Sequence, residues 1–204
     1  MTPDGNAAQP NTETDADRDD APATPVPPRR SRLVLFGAVA VVALALDVVS
    51  KFLVVRDLPE PSEHSVGHAP VRVLGGVFYL DQARNSGAAF SLGAGFTIVL
   101  TIVALVVVVL IVRFAQRLRS IGWAISLGLI LGGALGNLTD RVFRSPGFLR
   151  GRVVDWISLF GAYGKHWPIF NLADSAIVCG AVLAAVLAIF GVELDGERPR
   201  RGPA

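Results

Sequence analysis

The chain has 204 residues, 51% apolar and only 18% charged, with a positive mean hydropathy, a balance that excludes a disordered chain. No charge falls between Arg84 and Arg113, between Arg119 and Asp140, or between Asp174 and Glu193, and gaps of that length argue for a membrane rather than a soluble core. Nineteen basic against 17 acidic side chains give a net charge of +2, so no global field points to nucleic acid, and the single Cys179 rules out an intrachain disulfide.

Residues 1–32 carry six acids and six prolines. They bury too little apolar area to offset the entropy of ordering, so a disordered extension is expected rather than a cleavable signal peptide. Arg29, Arg30 and Arg32 then precede an apolar run from Leu33 to Val55, interrupted only by Asp47, Ser50 and Lys51. At about 1.5 Å per residue such a run crosses a hydrocarbon core of about 30 Å. Between Arg56 and Arg84 the chain turns polar, and Val71, Val73 and Val77-Phe78-Tyr79-Leu80 read as short strands about Gly75-Gly76. A small extramembrane sheet is the expected product.

A second span is expected from Phe96 to Val112 and is followed by Arg113, Arg117 and Arg119. The third runs from Ile121 to Leu138, where Gly128, Gly132 and Gly136 make a smooth strip for close helix packing. The fourth extends from Asn171 to Val192, with Cys179 inside it as a small packing residue. Residues 193–204 form a basic tail. The chain thus divides into an extension (1–32), a four-helix membrane domain (33–192) and a tail (193–204). Four spans return both termini to one side, and the arginine clusters at 29–32, 113–119 and 198–201 mark that side as cytoplasmic.

Between Gln82 and Val192 the only acids are Asp140, Asp155 and Asp174. The topology gathers all three, with Asp47, at the outer end of the bundle. An ionisable group at membrane depth is costly and therefore a functional candidate. Asp47 and Lys51 are four apart on one helix face and read as a structural ion pair. Asp140, at a helix C-terminus, opposes the macrodipole and needs a cation, from Lys51 or an arginine. Asp174 fits either a site or a favourable charge at a helix N-terminus. Asp155 lies in a connecting loop among Val153, Val154, Trp156 and Ile157, an apolar setting that raises a carboxyl pKa unless the group is paired. Two such carboxyls held close share a proton, so that one deprotonates a water as the other donates to a carbonyl oxygen. Zinc, serine and cysteine schemes lack their motifs: there is no His-Glu-x-x-His, no Gly-x-Ser-x-Gly, and His64, His68 and His166 are dispersed. No metal or organic cofactor is expected.

Five motifs occur together: Asp47-Val-Val-Ser-Lys51, Asn85-Ser-Gly-Ala-Ala-Phe90, Gly132-Gly-Ala-Leu-Gly-Asn-Leu-Thr-Asp-Arg141, Val153-Val-Asp155 and Phe170-Asn-Leu-Ala-Asp-Ser175. In order and approximate spacing the set resembles lipoprotein signal peptidase (signal peptidase II), over roughly 33–192. The resemblance implies four transmembrane helices with a small extracytoplasmic β-cradle and a short interfacial helix in the bacterial inner membrane. It implies an aspartic endopeptidase that cleaves prolipoproteins before a diacylglyceryl-modified cysteine. By position it assigns catalysis to Asp155 and Asp174, site-lining or supporting roles to Asn85, Asn137, Asp140, Arg141 and Asn171, and the structural pair to Asp47 and Lys51. The partners implied are the lipidated precursor and membrane lipid, with no oligomer required. The segment between Arg141 and Asp155 looks longer than usual for the family. An ion-path transporter or a binding protein with a packed polar cluster are the rival classes; neither accounts for the ordered motif set.

Overall fold

A computed structural model describes residues 29–58, 69–87 and 95–195, without the side chains of 29–31 and 95–96. Most of the expected N-terminal extension and basic tail, together with His64, His68 and Ala88 to Phe90, lie outside the described residues. No α-helix other than the four long ones occurs among the described residues.

The four apolar runs form helices α1 (Arg29–Asp57), α2 (Gly95–Ala115), α3 (Ile121–Phe143) and α4 (Leu172–Ile189). Each is long and apolar enough to cross a membrane. Their outward faces expose large aliphatic side chains, among them Val41, Val106, Val109, Val178 and Val182, a surface that suits hydrocarbon rather than water. Cys179 also lies on this exposed face, so its expected role as an internal packing residue is corrected. An α4 that is apolar all round carries no sequence signal for which side faces its neighbours.

α3 is the central helix and packs against α1, α2 and α4. Its glycines explain how it does so. A Cβ on Gly128 would sit 2.9 Å from the Phe36 carbonyl oxygen, and one on Gly132 would meet the Ala40 carbonyl and Ala43. The expected strip therefore faces α1 backbone to backbone. Gly133 and Gly180 make the equivalent close approach between α3 and α4, where the Ser126 hydroxyl donates to the Gly180 carbonyl at 2.8 Å. At the opposite end from the acids, Phe36, Ala40, Ile111, Ala115, Leu118, Ala124, Leu127 and Leu131 form the apolar core. The first residues after α4 close this end, for the Leu194 carbonyl accepts from the backbone N–H groups of Arg119 and Ser120.

Three antiparallel strands stand at the acidic end in the order β1 (Val71–Val73), β2 (Phe78–Asn85), β3 (Val153–Leu159). β1 and the start of β2 match the expected strands, whereas β3 corrects the expectation that Asp155 sits in a loop. Val153, Val154, Asp155, Ile157 and Ser158 are all buried, so β3 is covered on both faces and shows none of the alternation that marks a half-exposed strand. Its register pairs Ala83 with Asp155 and Asn85 with Val153, beyond an irregularity between Leu80 and Ala83. On the other side of β3, Phe170 pairs with Ile157, which brings the chain alongside β3 two residues before α4 begins.

Candidate active site

The site follows from where these elements end. α3 runs five residues beyond the expected Leu138, which places Asp140, Arg141 and Arg144 around its last turn and C-cap. α4 starts one residue later than expected because Asn171 is its N-cap. The Asn171 side chain accepts from Asp174 N–H at 2.9 Å and the Asp174 carboxylate accepts from Asn171 N–H at 3.2 Å, a reciprocal capping box. Asp174 thus does serve the helix N-terminus, but only through Oδ2. Its Oδ1 accepts from the Asn137 amide of α3 at 2.8 Å.

Asn171 also reaches the strand. Its Nδ2 donates to Asp155 Oδ1 at 2.6 Å and to Asn137 Oδ1 at 3.2 Å. Asp155 Oδ2 accepts from Asn85 Nδ2 at 2.9 Å, and the Asn85 amide is itself fixed because its Oδ1 accepts from Gly87 N–H at 2.7 Å. Gly87 has φ +90°, a backbone conformation glycine adopts at no steric cost. One fully buried amide therefore spans the two carboxylates, capping the helix that carries Asp174 and donating to Asp155.

Below this layer Lys51, only 1% exposed, lies 2.7 Å from Asp47 and 3.0 Å from Asp140, and donates to Asn137 Oδ1 at 3.0 Å. Asp47 Oδ1 accepts from Ala173 N–H at 2.9 Å, pinning α1 to the first turn of α4. Asp140 gains two further partners, the Arg144 Nε and the Val154 N–H, so its expected need for a cation is met twice. The opposed macrodipole is thereby offset.

Arg141 points to the same end without sharing that pairing. Its Nη1 is buried and has no hydrogen-bond partner among the described residues. The carboxylates of Asp155, Asp174 and Asp140 are near enough to act on it through their charge. Burial is the largest influence on Asp155: desolvation lifts its carboxyl from 3.8 to about 6, with the Asn85 and Asn171 amides and Lys51 opposing the rise and the Asp174 charge adding to it. The apolar flanks of β3 therefore outweigh the hydrogen bonds.

All nine sequence-derived site residues gather at this end of the bundle. Sequence reasoning missed Arg144 and the Val154 N–H as partners of Asp140, and the role of Asn171 as the bridge. Arg144 lies four residues after Asp140, a helical pairing distance, and Asn-x-x-Asp before an apolar run is a capping signal. No group of three or more His, Cys, Asp and Glu side chains suited to a metal ion occurs among the described residues.

Four membrane-length helices closing on a buried acid–amide cluster beneath a small sheet define a multi-pass membrane protein with its polar site at one end of the bundle. The family model described as Signal peptidase (SPase) II matches residues 39–190. The chain belongs to the signal peptidase II family and is a membrane peptidase. It is 47% identical over 192 residues to the lipoprotein signal peptidase of Rhodococcus jostii (strain RHA1), covering 91% of this chain and 90% of the relative. It is 49% identical over 174 residues to that of Mycobacterium tuberculosis (strain ATCC 25618 / H37Rv), covering 85% and 79%. A solved bacterial membrane enzyme, 23% identical, shares the fold with a TM-score of 0.63 over 86% of this chain and 94% of that one.

Proposed function

We propose that this chain removes the signal peptide from diacylglyceryl-modified prolipoproteins, cleaving before the lipidated cysteine by an aspartic mechanism. The observation that carries the mechanism is the Asn171 bridge: its amide donates to Asp155 while its backbone and side chain hold Asp174 in the capping box. Neighbouring carboxyls, one raised to about 6 by burial, suit a pair that holds one proton between them. The ionised member takes a proton from a water, which attacks the scissile carbonyl. The protonated member donates to the carbonyl oxygen. As the tetrahedral intermediate collapses, the C–N bond breaks, the leaving amine takes up the proton acquired from water, and a hydroxyl of the intermediate returns its proton to the other carboxylate, restoring the shared proton. The base is assigned to the dyad rather than to one residue.

Arg141, with a buried Nη1 lacking a partner among the described residues, is suited to a substrate carbonyl. Asn85, Asn137 and Asn171 orient the carboxylates, while Asp47, Lys51 and Asp140 lock the helix ends beneath them. In this reading 33–192 is the peptidase domain and works without an oligomer or cofactor. The termini lie in the cytoplasm, and the acids face the outer boundary of the membrane, where water reaches them while lipid chains remain in the bilayer.

The test is a gel-shift assay of a purified diacylglyceryl-modified precursor with the wild type, Asp155→Asn and Asp174→Asn. Both variants are expected to stay folded in the membrane and to yield no cleaved product. Full cleavage by both would end the aspartic mechanism.

A further inference from the structure

The segment between α3 and β3 forms a second polar feature, separate from the carboxylate pair. It folds back on itself, Gly151 N–H donating to the Arg141 carbonyl at 2.9 Å and Arg152 N–H to the Ser145 carbonyl at 3.1 Å. This closure sets Arg144 and Arg152 beside each other. Arg84 of β2 completes an open cavity of about 510 Å³ lined also by Phe143, Ser145 and Pro146. Among the described residues, three guanidiniums and a hydroxyl therefore line the concavity, and no acid does.

Strand alternation separates this cavity from the dyad. Asn85 pairs with Val153, Arg84 with Val154 and Ala83 with Asp155, and directly paired residues share a face while successive residues alternate. Arg84 thus projects from the opposite side of the sheet to Asn85 and Asp155. Arg144 commits its Nε to Asp140, and a guanidinium has five N–H donors, leaving its terminal nitrogens for another acceptor.

The depth of the cavity indicates its ligand. It opens where the membrane-length α3 ends at Phe143, a lining residue that is 81% exposed, and Phe148, farther along the same connection, is 74% exposed. The end of a membrane-length helix lies at the polar boundary of the bilayer, and an exposed phenyl ring there favours the acyl side of that boundary. We infer that this cavity binds the phosphate of an anionic phospholipid, with Arg84, Arg144 and Arg152 as donors and Phe143 and Phe148 against the acyl region. The inference does not depend on which residues cleave substrate.

The purified chain in a neutral detergent would be titrated by calorimetry with dihexanoyl phosphatidylglycerol, dihexanoyl phosphatidylcholine and inorganic phosphate. Phosphatidylglycerol is expected to bind at least about tenfold more tightly than either other probe. Removing two arginines in Arg84→Gln/Arg152→Gln should weaken it about thirtyfold, from the attraction of each basic side chain for an anionic lipid surface. The double lysine variant keeps the charge and should retain most of the binding, and Arg152→Gln alone provides a readout if the double variant does not fold. Equal affinity for the two lipids, or phosphatidylglycerol binding unchanged in Arg152→Gln and in the double glutamine variant, would overturn the site. Inorganic phosphate binding as tightly as phosphatidylglycerol would overturn the lipid as its source.

Discussion

The most direct test of the site's electrostatics is a stability measurement on Asp155→Asn. Asp155 is 2% exposed, and desolvation carries its carboxyl from 3.8 to about 6 despite the amides of Asn85 and Asn171. At about 1.36 kcal/mol per pH unit, ionising it in the folded state costs about 3 kcal/mol more than in the unfolded chain. Because the folded pKa lies above the unfolded value, the folded state holds the proton more strongly between pH 3.8 and about 6. Stability therefore falls as pH rises through that window, and the whole cost is present above it. Asparagine keeps the shape and carries no charge. Its amino group must confront either Asn85 or Asn171, both of which already donate here, at a cost of about 1 kcal/mol.

The net expectation is a variant about 2 kcal/mol more stable than the wild type at pH 8, a rise in thermal midpoint of roughly 4–8 °C for a chain of this size. The assay is thermal unfolding of both proteins in detergent micelles from pH 4 to 8. The advantage should grow between pH 4 and 6 and level off above. A variant less stable than the wild type at pH 8, or a difference independent of pH, would refute the buried-charge account.

Asp174→Asn should shift that same stability window towards lower pH, because the Asp174 charge raises Asp155; an unchanged window would show that the two carboxyls do not sense each other. Lys51→Met removes the cation shared by buried Asp47 and Asp140 and should cost about 3–5 kcal/mol, the usual penalty for stranding a buried charge, read as loss of folded protein in denaturant titration. Gly132→Ala drives a methyl onto the Ala40 carbonyl and Ala43, whereas a Cβ at Gly37 meets nothing within 4 Å. The first should destabilise by about 1–3 kcal/mol and the second should not, and equal midpoints would remove the case for close α1–α3 packing. Asn171→Ala should lose the α4 cap and the Asp155 donor together, about 2–4 kcal/mol by thermal unfolding, with the Asp155 window moved to higher pH.

The spans were legible because a membrane demands long stretches without charge, and the gaps after Arg84, Arg119 and Asp174 meet that demand. Helix ends were less legible. Ending α3 at Leu138 hid the pairing of Asp140 with Arg144, which becomes plain once the helix reaches Phe143. β3 was hidden for a different reason: a strand covered on both faces reads as a short apolar run, and Val153-Val-Asp-Trp-Ile157 carries no period-two signal. The motif resemblance implied site-lining roles for Asn137, Arg141 and Asn171, but spacing could not state their contacts. Those contacts join residues far apart in the chain, such as Asp47 with Ala173 and Lys51 with Asn137, and depend on how four helices pack.

Asn171 shows why the helix start and the proposed chemistry are one structural problem. Its backbone N–H and side-chain oxygen close the capping box with Asp174, while its amide nitrogen reaches Asp155. A carboxylate at the third position of a helix is held by backbone geometry, so Asp174 cannot drift without unwinding the first turn of α4. Phe170, one residue earlier, is hydrogen-bonded to Ile157 of β3, so that turn cannot move without the strand bearing Asp155. The two carboxylates are therefore referenced to the same short stretch of backbone. Secondary structure thereby opposes their mutual repulsion alongside the charges of Arg141 and Lys51, which also reach the pair, while Lys51 neutralises Asp47 and Asp140 beneath.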